Sequence, residues 1–161
     1  MKRSYRIFSE KGDEYKLSLS DDDGLNLFEE LAGRYHVQLI SIELTRINGN
    51  GSTPAYILNR IEDLIAATLV EYPNAVMCYY CDFLNPVPSS NKPMPPQEYR
   101  SRLFSLMFQR YVHHHEIEGV SEVIVRVDGI EEVYYFHMIT RNRHLGTVKQ
   151  IATDIQGQFQ K

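Results

Sequence analysis

Asp82, Arg100, Arg102 and His137 are the residues in this sequence whose types and spacing could do chemistry. Asp82 closes the apolar run "AVMCYYCD", and Arg100 and Arg102 follow in the first turns of the helix expected beyond a proline-studded segment. Cations at a helix N-terminus oppose the macrodipole, so a carboxylate or an external anion should compensate them. Asp82 can pair with one arginine and close the base of the loop, or an arginine can face solvent and receive a phosphate, a carboxylate or an acidic partner segment. His137, in "VYYFHMI", shares strand parity with Val133, Tyr135 and Ile139, where an imidazole packs and donates one hydrogen bond. If it adjoined Asp82 and an arginine in a pocket, it could serve as the acid or base of a small hydrolase or transferase.

Other groupings have plainer readings. Cys78 and Cys81 form a C-x-x-C, a spacing that suits a redox pair or half a zinc site, yet they lie inside an expected strand. Side chains three apart on a strand point to opposite faces, so two buried free thiols are expected. Asp21, Asp22 and Asp23 before Gly24 resemble part of a calcium loop, but Leu19 falls at its first ligand position with no side-chain oxygen. Negative charge at a helix N-cap accounts for them. His113, His114, His115 and Glu116 are adjacent at a helix end, where neighbours diverge around the axis and imidazoles suit the dipole. No metal or cofactor is expected. The sequence has no G-x-S-x-G, Walker loop, G-x-G-x-x-G after a strand, or H-E-x-x-H. "NGNGS" reads as a turn leading to Thr53 as N-cap and Pro54 at the first helical position.

The elements that must position these residues follow from periodicity. "SYRIFSE" and "YKLSLS" read as a hairpin across Lys11-Gly12-Asp13, and "GLNLFEELAGRY" as a short helix through Leu25, Phe28 and Leu31. "VQLISIELTRI" is a strand by its β-branched content. Ile57, Leu58, Ile61, Leu64, Ile65, Thr68, Leu69 and Tyr72 make one apolar helical stripe. "AVMCYYCD" has apolar residues at both parities, as a central strand covered on both sides does. After residues 83–96, a helix from about Gln97 to Tyr111 offers Leu103, Phe104, Leu106, Met107 and Phe108 to the core. "SEVIVRVDG" and "EEVYYFHMITR" form a second hairpin, and Leu145, Val148, Ala152, Ile155 and Phe159 define a last helix. The order β-β-α-β-α-β-α-β-β-α predicts one α+β domain over residues 1–161, a mixed, mainly antiparallel sheet covered by helices. A formal charge of −4 excludes global attraction to nucleic acid and leaves only a local patch such as Arg141, Arg143, His144 and Lys149. The chain carries no apolar run long enough to span a bilayer, and a cytoplasmic location is expected.

The strand ending in Cys81-Asp82, the variable loop, and Arg-x-Arg-Leu-Phe from Arg100 to Phe104 with Phe108 beyond resemble a pattern in small bacterial domain-of-unknown-function proteins, from about Tyr56 to Met107. The resemblance implies a small cytosolic bacterial accessory protein with the Asp82, Arg100 and Arg102 region as its shared feature. The prolines at 86, 88, 93, 95 and 96 stiffen the loop toward polyproline II, and Phe83, Leu84 and Met94 give it apolar contact. The functional expectation is a non-enzymatic protein-binding or regulatory module using that loop and the adjoining arginine helix. The alternative is a small hydrolase or transferase with a pocket formed by Asp82, His137 and Arg100 or Arg102.

Overall fold

The computed structural model describes residues 1–22, 26–81, 94–129 and 132–159. The strands β1 (Lys2–Phe8), β2 (Glu14–Ser20), β3 (Gln38–Asn48), β4 (Ala75–Cys81), β5 (Val120–Asp128) and β6 (Val133–Arg141) form one sheet in the order β1-β2-β3-β4-β6-β5. Four helices cover it: α1 (Leu27–Tyr35), α2 (Ala55–Glu71), α3 (Pro96–His114) and α4 (Leu145–Phe159), the last entered through a 3-10 turn at Asn142–His144. The α+β class, the single domain and the order of elements are those expected from the sequence. Among the described residues only β3 and β4 run parallel, because α2 carries the chain back across the sheet between them.

Alternation along the central strands divides the core. Met77 and Ile139 point to the side of α2, into a cluster with Leu17, Leu19, Ile40, Ile57 and Ile61. Val76, Cys78 and Met138 point the other way, into a cluster with Leu31, Leu39, Val125, Val148 and Ile151. This two-sided burial is why β4 is apolar at both parities.

α2 is seated by its apolar stripe, with Ile57, Ile61, Ile65, Thr68 and Leu69 buried. Each buried isoleucine contributes roughly 1.5 to 3 kcal/mol of transfer free energy. Its C-terminal carbonyls are capped from the end of β6: the Arg141 guanidinium donates to the carbonyls of Leu69, Tyr72 and Pro73. Arg143 also donates to the Pro73 carbonyl. Leu69 is an orphan acceptor of the helix end and Tyr72 and Pro73 lie just beyond it, so two members of the basic patch considered for nucleic acid are engaged in holding α2.

The helix starts differ from expectation. Asn26, in the left-handed region at φ 62°, precedes α1 without a side-chain cap bond. Asp21 instead binds the Met1 amino group and Gln38, which lower its pKa, the amino group more; Asp23, Gly24 and Leu25 lie outside the described residues. α2 begins one residue later than predicted, with Pro54 rather than Thr53 as N-cap, because Thr53 accepts a hydrogen bond from Arg46. α1 ends at a left-handed His36, whose N–H donates to the Ala32 carbonyl, and Gly33 stays within the helix.

Candidate functional site

α3 lies over β6 and β4, and only Gln97 and Ser101 are buried along it. Of the expected contributors, Phe104 and Phe108 are half-buried and pack against the core on the α2 side, Leu103 and Met107 are half-buried, and Leu106 is 52% exposed. Gln97, Ser101 and Ser105 recur every four residues, so they line one side of the helix, and that side faces the sheet.

The sheet answers with polar groups. Ser101 Oγ lies 2.6 Å from His137 Nε2, and His137 Nδ1 lies 3.2 Å from Glu122 Oε2. The other carboxylate oxygen of Glu122 accepts a hydrogen bond from the Ser105 hydroxyl. A carboxylate can only accept, so Nδ1 facing it carries a proton, and in a neutral imidazole Nε2 then accepts from the Ser101 hydroxyl. Gln97 Nε2 donates to Glu132 Oε2 at 3.2 Å and to the Val133 carbonyl at 3.0 Å. Its buried Oε1 has no partner among the described residues. Phe104 stacks on Tyr79 at a centroid distance of 4.4 Å and meets the His137 ring edge-on at 5.2 Å. His137 is wholly buried and the Glu122 side chain is 8% exposed.

Nucleophile, base and orienting carboxylate stand here in the connectivity of an acyl-transfer relay. The setting differs from that of a hydrolase. Ser101 sits in the second turn of a regular helix, where the N–H groups of Ser101 and Arg102 are taken up by backbone bonds to the preceding turn. A nucleophile at a strand-to-helix turn uses such N–H groups to hold the oxyanion. What the network does in this fold is fix α3 on the sheet: each of three polar residues finds a particular partner, so a slip of one turn would leave buried groups unpaired.

The residues singled out in the sequence have mixed placements. His137 is at the centre of the network, in contact with Ser101 and Glu122, residues that the sequence reasoning missed. Glu122 shares a strand face with Ile124, whose register partner is His137, and the four-residue polar spacing on α3 was the available signal. Arg102 pairs with Glu98 across one helical turn at 3.0 Å. Arg100 is half-buried on the same helix. Met94 is half-buried just before α3, whereas Asp82, Phe83 and Leu84 and most of the proline segment lie outside the described residues. Of the pocket expected around Asp82, His137 and an arginine, His137 is buried against Ser101 and Glu122, and Asp82 lies outside the described residues.

Cys78 is buried, and burial pushes its thiol up to about 12, which makes it a poor nucleophile at neutral pH. The run His113 to His115 is exposed at the end of α3, where Tyr111 and His115 rings meet at 4.1 Å. A cleft of about 490 Å³, lined by Asp21, Asn26, Glu29, Val37 and Gln38 among others, opens beside the start of α1 and, among the described residues, includes none of the predicted site. Among the described residues, no helix is long and apolar enough to cross a membrane. No protein-family model, curated protein or solved structure matches the chain.

Proposed function

We propose that this chain is a protein-binding module, a small cytoplasmic accessory protein that meets its partner with the outward face of α3 and the proline-rich segment leading into it. One observation carries the reading: α3 buries Gln97 and Ser101 while Leu106 stands 52% exposed. An amphipathic helix ordinarily does the reverse. At about 100° per residue, Tyr99, Leu103 and Leu106 fall on the side away from Ser101, the spacing with which a helix presents apolar anchors to a groove or a second helix. The polar network supports this arrangement, since it seats α3 without spending those leucines on the core. By sequence, the prolines of residues 83–96 favour polyproline II, a conformation that loses little entropy on binding.

The test is affinity capture from the native host with wild type beside Leu103→Glu and Leu106→Glu. Loss of the same captured protein from both variants, with their thermal midpoints close to wild type, is the expected result. Equal capture by all three would remove α3 from the binding surface.

The 2.6 Å and 3.2 Å contacts of His137 favour a second reading, a serine-dependent hydrolase. A fluorophosphonate probe decides it, since Ser101 would displace fluoride at phosphorus and pass its proton to His137. Labelling lost in Ser101→Ala would establish the hydrolase, and an unlabelled wild type would leave the network to structure alone.

A further inference from the structure

We infer that β5 is a self-association strand, through which two copies of this chain join antiparallel edges into one continuous sheet. The sheet ends at β5 on one side and at β1 on the other, and the two edges are built differently. β1 carries Lys2, Arg3 and Arg6 in seven residues, the charge that guards an edge against another strand. β5, "VSEVIVRVD", has no lysine and no proline, and its register with β6 runs unbroken from Val120↔Arg141 to Asp128↔Val133. Nothing in that edge bends it away from a second strand.

The side chains say which strand would fit. Glu122, Ile124, Arg126 and Asp128 share the face toward α3, which lies over β6 and β4 and leaves Ile124 49% exposed. A two-fold axis through Ile124 sets Ile124 against Ile124 of the second copy, Arg126 against Glu122, and Val123 against Val125. Opposite charges and apolar side chains directly across are the pairs that stabilise an antiparallel ladder. Shifting the axis to Val125 sets Glu122 against Asp128, and shifting it to Val123 sets Ile124 against Glu122, so one register is preferred. The Arg126 guanidinium is 62% exposed with Asp128 at 3.2 Å, and across the axis it faces Glu122 of the second copy, a side chain 8% exposed whose oxygens already bind Ser105 and His137. The Gln156 amide donates to the Arg126 carbonyl at 2.9 Å, an exposed contact that an incoming strand can displace. The interface is isologous and closes on itself, so it yields a dimer and not a filament.

Sedimentation equilibrium across micromolar to sub-millimolar protein tests this without reference to any other partner. Wild type should show a monomer–dimer equilibrium, Ile124→Lys should be monomeric, and Arg126→Glu should weaken the dimer about tenfold while Arg126→Lys retains it. Because Ile124→Lys could disturb the strand itself, amide exchange of β5 in wild type supplies a second readout: exchange should slow as concentration crosses the dissociation constant. A wild type that stays monomeric throughout, or a dimer whose affinity survives Ile124→Lys, overturns the inference. Neither result touches the α3 reading, which Leu103 and Leu106 test separately.

Discussion

α2 and α3 lie on the same side of the same sheet, α2 seated by an apolar stripe and α3 by Phe104 and Phe108 together with a polar network. α2 buries Ile57, Ile61, Ile65 and Leu69, none of them more than 8% exposed, whereas α3 buries Gln97 and Ser101 and meets the imidazole of His137. Apolar seating is strong and tolerant, because its energy follows the area removed from water and many side chains can supply it. Polar seating contributes less per residue, but it discriminates between registers, since a displaced hydroxyl or carboxylate is left unpaired in a dry environment. The fold thus has one helix seated by an apolar stripe and one whose position a polar network specifies, and the second leaves Leu106 exposed while Phe104 and Phe108 pack against the core.

The contrast can be broken first where it is strongest. Ile61→Ala removes the middle of the α2 stripe from a position 3% exposed and should cost about 2 to 5 kcal/mol in urea denaturation. An unchanged midpoint would mean that α2 contributes little to the core. His137→Leu keeps the volume and deletes the partner of both Ser101 and Glu122, leaving a buried hydroxyl and carboxylate to find others. The expected cost is about 2 kcal/mol. Adding Ser101→Ala to His137→Leu should recover part of it, because the pair then becomes apolar together; a double variant as unstable as the sum of the two singles would show that Ser101 and His137 are not coupled.

The same contrast explains how much could be read in advance. Ile57, Ile61, Ile65 and Leu69 announce α2 because an apolar stripe carries its own period, and "AVMCYYC" announces a central strand because both parities are apolar. α3 reads as a helix from Pro96 and its composition, but its inner side does not show. A hydrophobic pattern assigns Leu103, Phe104, Leu106, Met107 and Phe108 to the core; Phe104 and Phe108 pack there, whereas Leu106 stays exposed and Ser101 and Ser105 face the sheet, where His137 and Glu122 wait on two other strands. His137 stood out as a lone imidazole on a strand; its acid could not be identified, since Glu122 becomes its neighbour only through the pairing of β5 with β6. The arginines misled for a similar reason. Arg141 and Arg143 look like a basic patch in sequence, and their target, the carbonyl end of α2, lies some seventy residues earlier in the chain.

Arg141 sharpens the comparison from the far end of α2. It donates to the Leu69 carbonyl in the last turn of α2 and to the Tyr72 and Pro73 carbonyls just beyond it. Arg141→Met, which keeps most of the side chain's bulk, should cost about 1 to 2 kcal/mol and raise amide exchange at the last turn of α2. A loss spread evenly over the whole domain, with no excess at that turn, would count against capping as the cause.

The smallest expected effect lies where the two helices meet. Glu62 of α2 stands near Arg110 of α3 and beside Asp63, which accepts a hydrogen bond from the Tyr111 hydroxyl at 3.1 Å. Burial of the Glu62 carboxyl pushes its pKa up to about 7 from 4.5; Asp63 adds to the rise and the attraction of Arg110 only partly offsets it. A carboxyl whose pKa is higher in the folded chain than in the unfolded one is better tolerated protonated. Its contribution to stability is therefore fully present below the unfolded value and is lost as pH rises from there through about 7. Allowing for solvent screening at its open side, the loss is about 1 kcal/mol. Glu62→Gln cannot titrate, so the stability of the variant minus that of wild type should be flat below pH 4.5 and climb to a plateau about 1 kcal/mol higher above pH 7. Urea midpoints of the two proteins from pH 4 to pH 8 give that difference directly, because other titrating groups are common to both. A difference curve that falls over this window would mean that Arg110 outweighs burial, and α3 would then be joined to α2 by an ion pair rather than by packing alone.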